Sequence, residues 1–472
     1  MPNRILLPLI VACALLMENL DSTIIATALP TIAQEFGQSP IHLKLALTSY
    51  LLALAVFIPA SGWLADRLGA RLVFRLAILT FVAGSIFCGL SNSIEQIVFA
   101  RIVQGMGGAM MVPVGRLVIL RSVPKHELIG SLAWLTMPAL IGPVLGPPVG
   151  GFITTYFSWR WIFWINVPIG LLGLFLATLY IPNIYGDKRV PFDTKGFLFS
   201  AFGLATFVTG STTFGLGLLP ETVVWTFLLV GAALLVAYYF HAKRTPDPIL
   251  DLTLFRIPTF LYSMLGATLF RIGIGATPFL LPLLLQDGFG MSPFQSGMIT
   301  FASAVGAFCM KMLAPPLLRR FGFRNILLWN TLIGAASVAL PAFFTPATPV
   351  SVMFSLLLVS GFFRSLQFTS VSALSFADIP PEKMSRATTM TSVLQQISLS
   401  VGVSVGALTL ETTMALTGSG LGPSTFWPAF IVVGLIATSA IFPLSRLSSD
   451  AGDEMSGRRT IAPDPVTVMR ER

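Results

Sequence analysis

Long apolar runs recur along the whole chain and constrain its fold more than any other feature. Segments 223–240 and 326–344 contain no charged residue, and a helix needs roughly 20 apolar residues to cross a bilayer core about 30 Å thick. Hydrophobic residues make up 54% of the chain and charged residues 10%, which leaves too little polar surface for a soluble globule of 472 residues. The runs do not alternate in polarity, as the strands of a membrane β-barrel would. The sequence therefore predicts an all-α integral membrane protein.

The apolar runs predict fourteen membrane-spanning helices, separated by short breaks rich in Gly, Pro and charge. The predicted spans are 5–33, 45–65, 72–91, 95–119, 131–155, 160–181, 196–215, 222–241, 258–286, 294–313, 325–345, 350–376, 387–411 and 425–445. Arg4 precedes the first run as in a signal peptide, but no small-residue cleavage site follows it. We therefore expect the first run to remain as an uncleaved span.

The distribution of Lys and Arg predicts the orientation of these helices. Twenty-two cations fall in segments on the side of the termini, whereas only Lys44 and Arg160 fall on the opposite side. Since cytoplasmic loops of membrane proteins carry the excess of Lys and Arg, both termini are predicted to lie in the cytoplasm. The net charge of +9 is spread over many short loops, which argues against a nucleic-acid partner.

The chain contains an internal repeat with an offset of 252 to 253 residues. The break Gln34 to Gly37 matches Gln286 to Gly290, and Gly69 between two arginines matches Gly322. Because the offset exceeds half the chain, a segment must be inserted between the copies, which gives six, two and six spans. Parallel repeats of six helices are a known transporter plan with the solute site between the halves. The predicted units are a six-helix bundle at 1–182, linkers with inserted helices seven and eight at 183–255, a second six-helix bundle at 256–446, and a cytoplasmic tail without fixed structure at 447–472.

A short loop between the second and third spans combines glycines with charges. Its distinctive residues are Gly62, Asp66, Arg67, Gly69 and Arg71. Gly62 and Gly69 permit close helix approach and a tight turn, and Asp66 can cap a helix or pair with an arginine. A merely solvated cationic turn is the alternative. The pattern resembles the signature loop of the major facilitator superfamily.

The fifth span is unusually rich in Gly and Pro, at Gly142, Pro143, Gly146, Pro147, Gly150 and Gly151. Glycines four residues apart give a helix a flat seam against which another helix can pack closely. Simple tight packing is the alternative interpretation. The run resembles the antiporter motif found chiefly in drug exporters of the superfamily.

Two further stretches narrow the resemblance. The run 20–30 in the first span resembles the signature of fourteen-span drug:proton antiporters of the EmrB/QacA type, and 101–109 in the fourth span resembles their arginine motif. The resemblance extends from about residue 15 to 445, and within the group the chain is most similar to the MdtD-like branch. It implies a major facilitator fold and export of small amphipathic or cationic compounds by alternating access, with a proton gradient and no cofactor.

Other functions on this architecture remain alternatives. An importer or facilitator of a small metabolite would share the fold, and a membrane sensor or enzyme is the remoter alternative. We expect no enzymatic activity, because the sequence contains no His cluster, nucleophile elbow or phosphate-binding loop. The expected partners are the bilayer, a small-molecule substrate and protons, while a periplasmic adaptor protein is compatible with the sequence but not implied by it. The Cys and His residues are isolated, so no metal site is predicted.

Charged residues inside apolar spans identify the candidate functional residues, because each costs on the order of 2.5–3.5 kcal/mol at the bilayer centre unless it has a partner or a function. Glu18 and Asp21 share one face of the first span, and Arg101 in the fourth span is close enough in depth to reach Asp21. These three residues are predicted to couple transport to protons, with a static ion pair as the alternative. The candidate cavity residues are Arg271, Arg364 and Gln104, and a structural role for Arg364 is equally open.

Overall fold

The computed structural model describes residues 2–122, 128–185, 191–214, 219–380 and 383–452, and all regular structure in these ranges is helical. The predicted tail beyond residue 452 lies outside them, as do Lys125, Lys188 and Arg189 among the loop cations.

Eight helices lie in the described residues of the first half. They are α1 (Pro2–Ile24), α2 (Leu29–Glu35), α3 (Lys44–Leu68), α4 (Ala70–Leu90), α5 (Ile94–Ser122), α6 (Leu128–Tyr156), α7 (Trp161–Trp164) and α8 (Asn166–Tyr180). The first predicted span is interrupted by a 3-10 turn at Ile25–Thr27, after which Pro30 lies in the first turn of α2. Proline suits a new helix start because its missing N–H would have no partner there.

Nine helices lie in the part of the remaining chain that the structure describes. They are α9 (Thr194–Thr213), α10 (Glu221–Arg244), α11 (Pro258–Leu283), α12 (Pro293–Phe321), α13 (Phe323–Ala339), α14 (Val350–Leu374), α15 (Met384–Thr417), α16 (Pro423–Ser439) and α17 (Ile441–Ser445). A π-helical turn, Leu284–Gly288, continues α11, and short 3-10 turns occur at Leu252–Arg256 and Leu340–Phe343.

Helices occupy each of the fourteen predicted spans. Within the described residues, eleven helical segments are long and apolar enough to cross a membrane. The other three predicted spans fall on α6, α9 and α12, which are 29, 20 and 29 residues long. The all-helical membrane fold is thus confirmed, while the count of fourteen crossings stays a prediction.

The two halves pack their helices in the same pattern. In the first half α1 packs on α6, and α5 packs on both α3 and α4; in the second half α11 packs on α15, and α14 packs on both α12 and α13. The halves meet along two seams, α6 against α12 and α3 against α15, which the repeat also relates to each other. Helices α9 and α10 pair with each other, and α9 also contacts α3 and α15.

Turn geometry repeats as well. Gly37 and Gly290 have φ of 62° and 70°, and Gly69 and Gly322 have φ of 91° and 77°. These are left-handed values that favour glycine. A Cβ on Gly69 would also overlap the side chain of Asn183. The members of each pair stand 253 positions apart, so the repeat that is visible in the sequence is also a repeat of the backbone.

We call the side of the molecule at which α3 ends the near side, and the side at which α2 ends the far side. On the far side Glu35 accepts hydrogen bonds from Arg160 and Trp159, both at 2.6 Å, and Arg160 also donates to the carbonyl of Ser91. Burial raises the pKa of Glu35, but these hydrogen bonds and the charge of Arg160 outweigh it, so the pKa of Glu35 lies below its ordinary value. The cluster ties α2 to the loops before α5 and α7.

Candidate functional site

Asp21 and Arg101 form a fully buried ion pair in the first half. Their side chains are 0% and 1% exposed, and Arg101 Nη1 lies 2.5 Å from Asp21 Oδ2. The other carboxylate oxygen, Oδ1, accepts hydrogen bonds from Gln104 Nε2 and Asn166 Nδ2, both at 2.8 Å. Gln104 and Asn166 also donate to Ser85 Oγ, at 2.8 and 3.3 Å. Four helices, α1, α4, α5 and α8, thus converge on one carboxylate.

The guanidinium of Arg101 is held from α3 as well. Its Nε donates to the carbonyl of Ala46 at 3.1 Å, and the group stacks over the ring of Tyr50 at 4.1 Å from the centroid. A buried charge is tolerated when its partner and its remaining donors are satisfied. The contact that the sequence suggested between the first and fourth spans is therefore present and is enclosed on all sides by the first half.

Glu18 lies one turn before Asp21 and has a different environment. Its side chain is half-buried, and its Oε2 atom is buried with no hydrogen-bond partner among the described residues. Arg116 on α5 and Asp21 both act on it electrostatically. The carboxyl group of Glu18 is consequently held by charge alone, whereas that of Asp21 is fixed by three donors.

The glycines of the fifth-span motif lie in close helix contacts. A Cβ on Gly142 would overlap Asn19 and Leu20 of α1, and a Cβ on Gly146 would overlap Thr23 of the same helix. A Cβ on Gly150 would overlap Ile24 at the end of α1 and Thr27 in the 3-10 turn that follows. Gly151 instead faces Pro293 and Phe294 of α12. The motif therefore packs α6 between the helix that carries Asp21 and the second half of the molecule.

The signature loop has only part of the expected geometry. Asp66 pairs with Arg121 at the end of α5, with Nη1 to Oδ1 at 2.7 Å, and Arg67 stacks on Trp63. No helix is capped by Asp66 among the described residues, and Arg71 makes no hydrogen bond or ion pair there. The expectation of a close helix approach at Gly62 is wrong for this conformation, because a Cβ there would meet nothing within 4 Å.

A cavity of about 380 Å³ lies between the halves. Its walls come from α1, α6, α11, α12 and α14 and are mainly apolar. The lining includes two cations, Lys311 and Arg364, and the two motif prolines Pro143 and Pro147. The cavity is large enough for a small organic molecule.

The three predicted cavity residues lie in three different places in the structure. Arg364 lines the cavity, as expected. Arg271 stands behind the wall, with its guanidinium 5.1 Å from the ring centroid of Phe368, which does line the cavity. The assignment of Gln104 to the cavity is wrong, because its amide group forms hydrogen bonds with Asp21, Ser85 and Arg101 inside the first half.

The far side of the interface between the halves is closed by direct contacts. Gln286 Nε2 donates to the carbonyl of Thr27 at 3.0 Å, and the backbone N–H of Phe294 donates to Thr155 Oγ1 at 3.0 Å. Across the second seam, Lys44 of α3 is fully buried and interacts electrostatically with Glu411 of α15. These contacts join the halves beyond the cavity.

A solute-sized cavity between two repeated helical halves, beside a buried carboxylate–arginine pair, defines a membrane transporter. Residues 11–403 match the model of the Major Facilitator Superfamily, and the chain belongs to this family.

Relatives and solved structures agree with this assignment. The chain is 40% identical over 407 residues to proteins of Salmonella paratyphi A and Salmonella typhimurium named "Putative multidrug resistance protein MdtD", over 85% of this chain and of each relative. Its fold is similar to that of a D-xylose-proton symporter, with a TM-score of 0.65 and 15% identity over 97% of this chain and 99% of the other. It is also similar to that of a bacterial homologue of the human lysosomal transporter Spinster in an inward-facing and occupied conformation, with a TM-score of 0.66 and 16% identity over 98% and 100% of the two chains.

Several residues of the site were not found by sequence reasoning. Asn166, Ser85, Lys311 and Glu411 are not among the residues that the sequence patterns select. The distribution of cations assigns Lys44 only to a segment on the side opposite the termini. A systematic search for every ionisable residue within four turns of a span centre would have found Glu411 and Lys311.

Proposed function

We propose that this protein is a proton-coupled secondary transporter that exports small amphipathic compounds across a bacterial inner membrane by alternating access. The observation that carries this proposal is the buried Asp21–Arg101 pair, which adjoins but does not line the cavity between the halves. The multidrug resistance name of relatives 40% identical over 85% of the chain supports export as the direction.

Asp21 is the proton carrier in this proposal, Arg101 is its modulator, and Glu18 is an auxiliary acid. A proton on Asp21 removes the charge that holds Arg101, and so weakens the contact between α1 and α5. Helix α1 also packs on the glycines of α6, and α6 in turn packs on α12 of the second half. The weaker contact between α1 and α5 therefore alters the contact between the two halves. Proton and solute therefore need not meet; each shifts the same conformational equilibrium.

The near side corresponds to the cytoplasm in this proposal, with both termini there and with units at 1–182, 183–255 and 256–446. The far-side contacts of Gln286 with Thr27 and of Phe294 with Thr155 would then close the periplasmic end. The cavity would receive its solute from the cytoplasm. Opening the far side must break these contacts and the approach of Lys44 to Glu411.

The direction and coupling of transport can be tested together in cells that lack their other efflux pumps. We expect expression of the protein to lower the accumulation of amphipathic dyes, and a protonophore to abolish the difference. Dye uptake that rises on expression would instead favour the importer. A cysteine placed at Lys243, which the proposal puts in the cytoplasm, should resist an impermeant thiol reagent added outside, and its modification would contradict the proposed topology.

A further inference from the structure

The charge of the cavity wall is one-sided. Among the described residues, Lys311 of α12 and Arg364 of α14 are the only ionisable residues of the lining, and none of the described lining residues is acidic. The other walls are apolar or carry hydroxyl groups, with Phe308 and Phe368 among them. The two carboxylates of α1 do not line the cavity: Asp21 is engaged by Arg101, and Glu18 stands five residues before Thr23, which does line it.

These cations retain unused donors. Arg364 Nε is buried without a hydrogen-bond partner among the described residues, and its Nη1 atom has only a long contact of 3.5 Å with Ser303 Oγ. Lys311 makes no hydrogen bond or ion pair in the described part of the chain and is exposed toward the cavity. Thr277 adds a buried hydroxyl, also unpartnered, to the same wall.

Arg271 strengthens the same field from behind the wall. It is only 3% exposed, and both of its terminal nitrogens lack hydrogen-bond partners among the described residues. A cation at membrane depth that serves only packing is normally paired, as Arg101 is with Asp21. Three cations without an acidic partner among the described residues lie in or directly behind the wall of one cavity, and they therefore point to a negatively charged occupant.

We propose that the cavity selects amphipathic organic anions, in which a carboxylate or similar group binds between Lys311 and Arg364 and an apolar body lies against Phe308 and Phe368. This assignment rests on the proposed export function and names its substrate class. An ammonium compound of the same shape would meet the same cations and be repelled. The sequence resemblance implied small amphipathic or cationic compounds as substrates.

The charge of the substrate has an electrical consequence. If one proton enters for each monoanion that leaves, two charges move inward per cycle, whereas exchange of one proton for one monocation is electroneutral. Export of the anion should therefore accelerate with an interior-negative potential in addition to the pH gradient.

Binding by the purified full-length protein tests the substrate class. The probes are three naphthalene compounds of similar size: naphthylacetate, its neutral amide and naphthylethylammonium. We expect naphthylacetate to bind at least tenfold more tightly than the other two. Lys311→Gln and Arg364→Gln should each weaken naphthylacetate about tenfold, the range of a lost charge-assisted hydrogen bond, and leave the amide unchanged. Arg319→Gln, which removes an exposed cation from the near-side end of α12, is the matched control and should bind as the wild type does.

The amide also reports whether each variant retains a folded cavity, and if Arg364→Gln does not fold, Lys311→Gln carries the test alone. Preference for the ammonium compound, or wild-type carboxylate affinity in a folded Lys311→Gln protein, would overturn the assignment.

Transport by proteoliposomes under an imposed pH gradient tests the substrate class separately from the export function. Transport of the ammonium compound but not of the carboxylate under a pH gradient would support the export function and contradict the proposed substrate class. Binding of the carboxylate without transport under any pH gradient would support the ligand class and contradict proton coupling. If none of the three compounds is bound or transported, both the substrate class and the export function are contradicted.

Discussion

The two halves share a backbone plan but use charge in opposite ways. In the first half, Asp21 and Arg101 satisfy each other inside a closed network of amide and hydroxyl groups. In the second half, Arg271 is buried and Arg364 is half-buried beside a cavity, and neither has an acidic partner among the described residues. The repeat therefore gives two helix bundles with the same packing pattern. Whether a buried arginine has an acidic partner decides the role of each bundle. A paired charge can respond to a proton, and an unpaired charge can respond to a solute.

The sharpest way to break this comparison is to remove one arginine from each half. Arg101→Met should cost about 3–5 kcal/mol, because it leaves the buried carboxylate of Asp21 without its counter-charge. Arg364→Met should be neutral or stabilising, because it removes a charge that has no acidic partner to lose. Thermal unfolding of the detergent-solubilised proteins measures both.

Arg121→Met is the control for Arg101→Met on the same helix. Its pair with Asp66 is more than a third exposed on both sides, and exposed pairs contribute only about 0–1 kcal/mol. Equal losses for Arg101→Met and Arg364→Met would show that the cavity arginine is structural and that the contrast between the halves is wrong.

The next effect concerns the seam that links Asp21 to the second half. Gly146→Ala should lower transport strongly and stability by about 1–3 kcal/mol, because its Cβ would overlap Thr23 and force α1 and α6 apart. Efflux assays with quantified membrane insertion measure this. Gly173→Ala on α8 is the control, since its Cβ would meet only Ile78 at an ordinary distance of 3.8 Å. Normal efflux by Gly146→Ala would mean that the seam serves packing alone.

A smaller effect is expected where the halves meet on the far side. Glu411→Gln removes the charge that faces the buried Lys44 and should shift the equilibrium about tenfold toward conformations with an open far side, which is about 1.4 kcal/mol. Spin labels on the far-side ends of α3 and α15 would report the change as a longer distance. Unchanged distances would show that Lys44 and Glu411 do not hold the halves together.

The smallest effect belongs to Glu35 on the far-side surface. Its pKa is lower in the folded protein than in the unfolded chain, so the stability that it contributes is complete above the unfolded value and is lost as the pH falls through the folded value. The loss should be at most about 1 kcal/mol, because the pair with Arg160 is partly exposed. Unfolding measured between pH 6 and 3 should show a shallow decline that Glu35→Gln flattens. An identical decline in that variant would assign it to other carboxyl groups.

Sequence patterns predicted the fold well because its main determinants are local. The length of the apolar runs sets the helices, and glycines such as Gly69 and Gly322 set the turns. The apolar runs and the glycine positions are both visible in the sequence. The contact of Asp21 with Arg101 was also within reach, since depth along two helices restricts which charges can meet. The interruption of the first span at Ile25–Thr27 was missed, because hydropathy does not distinguish an α-helix from a 3-10 turn.

The side-chain network could not be predicted in the same way. Whether Gln104 faces the cavity or Asp21 depends on the rotation of α5 about its axis, and the apolar character of that helix on all sides gives no periodic signal. Lys44 and Glu411 are 367 positions apart and face each other only because α3 packs against α15. Such pairs depend on the assembly of the halves, which local patterns do not encode.

Solute-induced proton release from the purified protein tests most directly the claim that the first half handles the proton and the second half the solute. Addition of a bound solute to the wild-type protein in weakly buffered solution should release protons. Asp21→Asn should bind the same solute and release none, while Arg364→Gln should need a higher solute concentration to reach the wild-type amplitude. If Asp21→Asn releases protons with the wild-type amplitude, Asp21 is structural and the division of roles between the halves is wrong.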